Sequence, residues 1–294
     1  MTRTQTVGAA LADAAPRLRA GSSPTPRLDA EVLLAHATGH DRSWLFAHPE
    51  AEVALDGFEA LLERRLAGEP IAYLRGFREW RSLRIRTDAR ALVPRPETEV
   101  LLDAAIDEVS SRLVRDDASI VVWEVGTGSG AVAVALALRF REALALGRLR
   151  LIASDVAPDA LELAAENLEA AGVASLVDLA CADLLAPAGT TLPRPDVVVA
   201  NLPYVTTDEL DAAGTWLTHE PRSALDGGPD GLDVIRRLLA AGGWAGGATL
   251  LLEIGAGQGA DAAALAPAGM RAAIAADLAG RDRVASYHAG THDR

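Results

Sequence analysis

The sequence contains no lysine: all 28 basic residues among its 294 are arginine. That absence excludes Schiff-base chemistry and any phosphate-binding loop built on a lysine. Cysteine is nearly as scarce. Cys181 stands alone, so neither an internal disulfide nor a cysteine zinc site can form, and no metal site is expected. Cys181 itself reads as a small buried residue in a strand. Positive charge is in deficit, with 28 basic against 41 acidic residues and a net charge of −13. A broad grip on nucleic acid is therefore not expected, because phosphate neutralisation needs excess cations. No charge-free run reaches the roughly 18 apolar residues of a membrane span. Arg3, Asp13, Arg17 and Arg19 interrupt the first twenty residues, so no signal core is read there and a soluble cytoplasmic chain is expected. What is present is apolar material. Hydrophobic residues make up 50% of the chain, enough for one large domain or a large domain plus a smaller one.

The charge is unevenly spread. Residues 1–95 hold 14 arginines against 12 acids, whereas residues 96–294 hold 14 against 29. Nine arginines crowd residues 64–95 (64, 65, 75, 78, 81, 84, 86, 90 and 95) beside Glu69, Glu79 and Asp88. They read either as a solvated surface or as a docking face for an acidic partner or an RNA shape.

Residues 5–67 read as a small bundle of short helices. Leu28, Val32 and Leu33 recur on one helical face, as do Leu55, Phe58, Leu61, Leu62 and Leu66. From Leu83 to Thr87 the period changes to two, and Pro94-Arg95-Pro96 then forms a rigid junction. The expected organisation is a helical domain over 1–75, a boundary segment over 76–96 and a larger domain over 97–294. In that larger domain strands alternate with helices. Strands are expected at 120–125, 149–153, 176–181, 197–200 and 249–254, with weaker ones at 271–276 and 284–287. Helices are expected at 131–140, 158–171 and 232–241. Repeated βα units imply a mostly parallel sheet covered on both faces. The glycine-rich stretch 242–247 reads as a turn.

Ligands of open parallel sheets sit beyond the carboxyl ends of the strands, and here those ends are polar. The first strand runs into Glu124-Val125-Gly126-Thr127-Gly128-Ser129-Gly130, where glycines let backbone approach a ligand. Nicotinamide cofactors, flavins and S-adenosylmethionine all use such loops. Glu124, placed to face an ammonium group, and Ala131 in place of a third spaced glycine lean towards S-adenosylmethionine. Asp155 after the second strand suits two ribose hydroxyls, or equally a helix cap. Asp183 after the third suits an adenine amino group or a plain loop, with Leu184 as an apolar neighbour of the ring. Asn201-Leu202-Pro203-Tyr204 after the fourth is the most specific motif. The Asn201 side-chain oxygen and the Leu202 carbonyl can accept both hydrogens of a planar NH2 group, while Pro203 stiffens the loop and Tyr204 supplies an aromatic wall.

With these residues in hand, the chain resembles the release-factor glutamine methyltransferases. The likeness runs through Leu28-Asp29-Ala30-Glu31, Arg64-Arg65 with Gly68-Glu69-Pro70-Ile71-Ala72-Tyr73, and Pro94-Arg95-Pro96-Glu97-Thr98-Glu99. It continues through the glycine loop, the Asn201 motif, Glu220-Pro221-Arg222, Glu253-Ile254-Gly255 with Gln258-Gly259, and the stretch from Asp277 to Arg283. The resemblance implies an α/β fold: a seven-stranded Rossmann-like S-adenosylmethionine-dependent methyltransferase domain, its last strand antiparallel, joined by a hairpin linker over 76–96 to a small helical substrate-docking domain. It implies methyl transfer to the glutamine amide of the Gly-Gly-Gln motif in class 1 peptide chain release factors. Glu124, Gly126 to Gly130, Asp155, Asp183, Leu184 and Asn201 would bind the cofactor. Asn201, Leu202, Pro203 and Tyr204 would hold the substrate, with Asn201 and Tyr204 catalytic. No membrane or direct nucleic-acid partner is expected, and the chain is expected to be monomeric. Leu202 departs from the family's usual Asn-Pro-Pro-Tyr, and Glu124 from its usual Asp. Asn-Leu-Pro-Tyr is the form of adenine dimethyltransferases, so an amino-methyltransferase acting on adenine in ribosomal RNA or DNA is the alternative. A nicotinamide dehydrogenase would need an acid–base partner, for which His219 is the nearest candidate and reads as a loop histidine.

Overall fold

The computed structural model describes residues 3–21, 23–115, 118–187, 192–214, 217–242, 244 and 247–289. The chain forms two compact units, Met1–Phe77 with Ala213–His219, and Arg78–Ala212 with Glu220–Arg294.

In the first unit the elements are β1 (Thr4–Thr6), α1 (Val7–Ala20), α2 (Pro26–Thr38), α3 (Arg42–Ala47), β2 (Glu52–Ala54), α4 (Asp56–Leu66) and α5 (Ile71–Arg75). Local chemistry sets their starts. The Thr6 hydroxyl accepts from the Ala9 amide, the Asp41 carboxylate accepts from the Trp44 amide, and Pro26 opens α2. Leu11, Leu18, Leu33, Leu34, Phe58 and Leu62 meet in one core. Leu28, expected on the buried face, is 39% exposed; the face of α2 turns instead through Ala30, Leu33 and Leu34. The β1–β2 pair was not expected, because three-residue strands are too short to show a period. Arg65 is buried, and its Nε donates to Asp29 at 2.8 Å.

The second unit continues with β3 (Phe77–Trp80), β4 (Leu83–Arg86), α6 (Thr98–Arg115), β5 (Ile120–Val125), α7 (Ala131–Arg139), α8 (Arg141–Ala145), β6 (Leu149–Asp155), α9 (Pro158–Ala170), β7 (Val177–Asp183), β8 (Ala186–Pro187), β9 (Val197–Ala200), α10 (Thr207–Ala212), α11 (Asp233–Ala240), β10 (Thr249–Glu253), α12 (Gly259–Ala264), β11 (Met270–Ala276) and β12 (Asp282–Ala289). β3 and β4 pair across Arg81 and Ser82, both at positive φ. The main sheet runs β11-β12-β10-β9-β5-β6-β7, with the two-residue β8 added beyond β7. The five strands from β10 to β7 are parallel, and β12 is antiparallel to both of its neighbours. The order breaks between β5 and β9, which puts a crevice at their carboxyl ends.

The central strands are buried on both faces, so their sequences are continuous apolar runs. Alternate residues serve opposite cores. Val122, Leu151, Val197, Val199 and Leu251 pack on one side; Trp123, Ile152, Val198, Leu250 and Leu252 pack on the other. The helix α6 lies outside the expected elements, although Leu101, Leu102, Ala105 and Val109 mark its buried face. Cys181 lies in β7 as expected, but it is exposed, since that strand buries few of its side chains. The stretch 242–247 includes positions outside the described residues. At least six of the nine crowded arginines make ion pairs within the chain. Arg64 pairs with Glu69, Arg65 with Asp29, Arg81 with Asp103, Arg86 and Arg90 with Glu166, and Arg95 with Glu220. Among the described residues no helix is long and apolar enough to cross a membrane, and no group of three or more His, Cys, Asp or Glu could hold a metal ion.

Candidate functional site

A cavity of about 370 Å³ opens at the carboxyl ends of β5, β6, β7 and β9. The loop after β5 is built for close approach. Gly126, Gly128 and Gly130 have φ of 73°, 54° and 77°, where a side chain is strained. The Gly126 and Thr127 amides both donate to the Ser154 carbonyl at 2.9 Å. The Gly128 amide donates to Asp155 Oδ2, also at 2.9 Å. Asn167 on α9 holds the loop from behind. Its Nδ2 donates to the Ser129 and Arg86 carbonyls, and its Oδ1 accepts from the Arg86 amide.

Glu124 is buried at the end of β5 and accepts from the Thr127 hydroxyl at 2.9 Å. Burial, reinforced by the Asp155 charge, pushes its carboxyl up to about 8. It has no cationic partner among the described residues. Asp155 uses one oxygen for Gly128 and the other for the Ala157 amide at 3.0 Å, so it fastens both the loop and the turn into α9. Asp183 is exposed and paired with Arg237 at 2.7 Å. Leu184 lines the same wall at a φ of 57°.

Asn201 follows β9 and donates through Nδ2 to the Thr98 hydroxyl at 3.0 Å. Its Oδ1 meets no donor among the described residues. Leu202 is buried, with its Cδ2 against the face of Gly126. The Tyr204 hydroxyl donates to Glu253 Oε1 at 3.1 Å, and burial raises the Tyr204 pKa. The Gln258 side-chain amide donates to the Tyr204 carbonyl at 3.0 Å and fixes the loop's exit.

Of the residues expected from the sequence, Glu124, Gly126, Thr127, Gly128, Ser129, Asp155, Asp183, Leu184, Asn201, Leu202 and Pro203 line this one cavity. Gly130 and Tyr204 do not. Gly130 starts α7, and a Cβ there would sit 3.0 Å from Ala164 Cβ, so close helix packing adds to the positive φ in demanding glycine. Tyr204 turns towards Glu253 behind the cavity. His219 belongs to the first unit, where its Nε2 meets the Ala67 carbonyl. Residues not expected also contribute. Val93 and Arg95 line one wall and are held by the buried Glu220. Thr98 supports Asn201. Glu253 closes β10, and its place at a strand end was the signal that could have found it.

The sheet order and the cavity at its switch point define a Rossmann-like methyltransferase fold. A family model described as PrmC N-terminal domain matches residues 9–76. A release factor glutamine methyltransferase from Moorella thermoacetica is 41% identical, over 95% of this chain and 96% of that protein. Proteins of the same name from Xylella fastidiosa and Deinococcus radiodurans are 38% and 37% identical, covering 91% and 93% of this chain and 94% and 95% of theirs. The solved structure of a release factor-specific protein-(glutamine-N5) methyltransferase from Alicyclobacillus acidocaldarius is 29% identical. It covers 67% of this chain and 94% of that one, with a TM-score of 0.38. The chain belongs to the release factor glutamine methyltransferase family.

Proposed function

We propose that this chain methylates the side-chain amide nitrogen of the glutamine in the Gly-Gly-Gln motif of a class 1 peptide chain release factor, using S-adenosylmethionine. One observation carries the reading. A single cavity joins a buried carboxyl that lacks a cation to an asparagine whose NH2 group is already engaged.

The residues present fit the cofactor. Glu124, desolvated and without a counter-ion, suits the ammonium end of an amino acid, whose charge would return the carboxyl to its ionised form. Gly126, Thr127, Gly128 and Ser129 offer close backbone contact, with Gly130 setting the turn into α7. Asp155 spends one hydrogen bond on each oxygen, which leaves lone pairs for ribose hydroxyls. Leu184 offers an apolar side to an adenine ring. Asp183 reaches an adenine amino group only by sharing its carboxylate with Arg237. When bound, the cofactor supplies an electrophilic methyl group.

The chain's own part is to hold the acceptor. Asn201 Oδ1 and the Leu202 carbonyl accept the two N–H bonds of the glutamine amide, so both hydrogens are engaged and the nitrogen is oriented. Two acceptors also favour the positive charge that develops on that nitrogen. No strong base is needed, because the proton becomes acidic as the nitrogen is alkylated. Leu202 retains the backbone carbonyl that the motif needs, and its side chain packs under Gly126. Tyr204 stiffens the loop through Glu253.

The test is labelling of a purified release factor with methyl-labelled S-adenosylmethionine, read by mass spectrometry. One glutamine should gain one methyl group, and Asn201→Ala should lose about 100-fold or more in kcat. Label that survives replacement of the substrate glutamine, or that appears in RNA instead, overturns the reading.

A further inference from the structure

Glu253 is wholly buried at the end of β10 and does not line the cavity. A carboxyl in such a place needs compensation. Its Oε1 accepts from the Tyr204 hydroxyl, while its Oε2 has no hydrogen-bond partner. The Thr98 hydroxyl draws the pKa of this carboxyl down, although no hydrogen bond of ordinary geometry joins the two. That hydroxyl also accepts from Asn201 Nδ2. Thus Glu253 lies behind both polar members of the Asn201 motif, touching Tyr204 directly and reaching Asn201 through Thr98.

The arrangement has a directional consequence. A threonine hydroxyl can donate or accept, and an asparagine amide can present either end. Thr98 alone therefore leaves Asn201 two orientations, and in one of them an NH2 group would face the substrate where an acceptor is required. A carboxylate only accepts. With Glu253 ionised, the Thr98 hydrogen is drawn towards it and the Thr98 oxygen is left to accept. Asn201 must then turn its NH2 inward and its Oδ1 to the cavity.

We propose that Glu253 is a positioning residue that sets the amide orientation of Asn201 through the Thr98 hydroxyl and anchors Tyr204 directly. This rests on the reading that Asn201 Oδ1 holds the acceptor amide. Burial raises the Glu253 carboxyl to about 7; Thr98, Tyr204 and the charge of Arg283 on β12 lower it, and Glu97 raises it. Arg283 is itself shared with Asp277 and Glu97. Glu253 thus gains its proton near neutral pH, and a protonated carboxyl can donate to Thr98 and release the constraint on Asn201.

The experiment measures kcat and KM for release-factor methylation at saturating cofactor across pH 6–9, with S-adenosylhomocysteine affinity by calorimetry. Glu253→Gln should lower kcat by about 10- to 100-fold. The wild-type acid limb near pH 7 should vanish, and cofactor affinity should stay within about twofold, because the groups proposed to bind the cofactor ahead of β9 are untouched. Thr98→Val should reproduce the kcat loss, and Thr98→Ser should restore it. This second pair decides the matter if Glu253→Gln does not fold. An active wild type whose Glu253→Gln or Thr98→Val variant keeps kcat within about twofold overturns the positioning role, as does a Thr98→Ser variant no better than Thr98→Val. A wild type that does not methylate glutamine, or an Asn201→Ala variant with full kcat, overturns the proposed function instead.

Discussion

Replacing Glu124 by glutamine should make the cofactor-free protein more stable, and increasingly so as the pH rises. The folded-state pKa of about 8 lies above the unfolded value of 4.5, so the folded protein binds the extra proton between those limits. Below pH 4.5 both states are protonated and the shift costs nothing. Above it the unfolded chain ionises while the buried carboxyl does not, and each pH unit removes about 1.4 kcal/mol of stability until about pH 8. The accumulated loss is about 1 kcal/mol at pH 5.5, about 3 at pH 7 and about 4 at pH 8. Glutamine keeps an acceptor for the Thr127 hydroxyl and has no charge to desolvate, so it escapes this loss. Urea unfolding of both proteins, freed of cofactor, at pH 5.5 and pH 8 measures it. The stability advantage of Glu124→Gln should widen by about 3 kcal/mol between the two conditions. Glu253 titrates in both proteins and cancels in the comparison. S-adenosylhomocysteine should bind the variant about 10- to 100-fold more weakly, the worth of a hydrogen bond to a charged group. Parallel stability curves would refute the claim that a desolvated carboxyl awaits a cation.

Two further substitutions test other parts of the molecule. Gly130→Ala and Gly172→Ala both place a side chain at positive φ, but a Cβ at 130 meets Ala164 at 3.0 Å whereas 172 is open. The strain alone costs about 1 kcal/mol, and the added contact about 1–3 more, so Tm should fall by about 3 °C at 172 and about 9 °C at 130 in thermal unfolding. Equal shifts would mean that the α7–α9 approach can relax. Arg65→Ala leaves Asp29 buried without its guanidinium and should destabilise the first unit by about 3–5 kcal/mol. Calorimetry of that variant should return an unchanged cofactor affinity. A loss in affinity equal to the loss in stability would deny the two units their separate cores.

The strands were legible because burial on both faces leaves a direct mark on sequence. Val197–Ala200 is an uninterrupted apolar run and proved to be β9. The polar residues at four strand ends were equally plain, and they converge on the cavity because a parallel sheet puts all such ends on one side. Contacts between distant segments were not legible. Thr98 lies 103 positions from the asparagine it supports, and no local pattern reports such a pairing. Glu220 holds Val93 and Arg95 from across 127 and 125 positions. Gly130 looked like part of a ligand loop, and only the spacing to Ala164 reveals a packing constraint. The fate of the arginines was hidden for the same reason. Arg86 and Arg90 meet Glu166 through the fold, not through sequence proximity.

Asn167 makes three hydrogen bonds, two to the Arg86 backbone and one to Ser129. Both of its amide hydrogens and one oxygen lone pair are in use, so the side chain acts as a rigid coupling with no slack. The strand β4 and the glycine loop cannot move independently while it is intact. Any displacement of the loop on ligand binding must carry the β3–β4 ribbon with it or break one of these bonds. The same coupling narrows what substitution can do. Aspartate would lose both donors, and leucine all three contacts, so freedom to reshape this site lies in the walls of the cavity and not in the helix behind it.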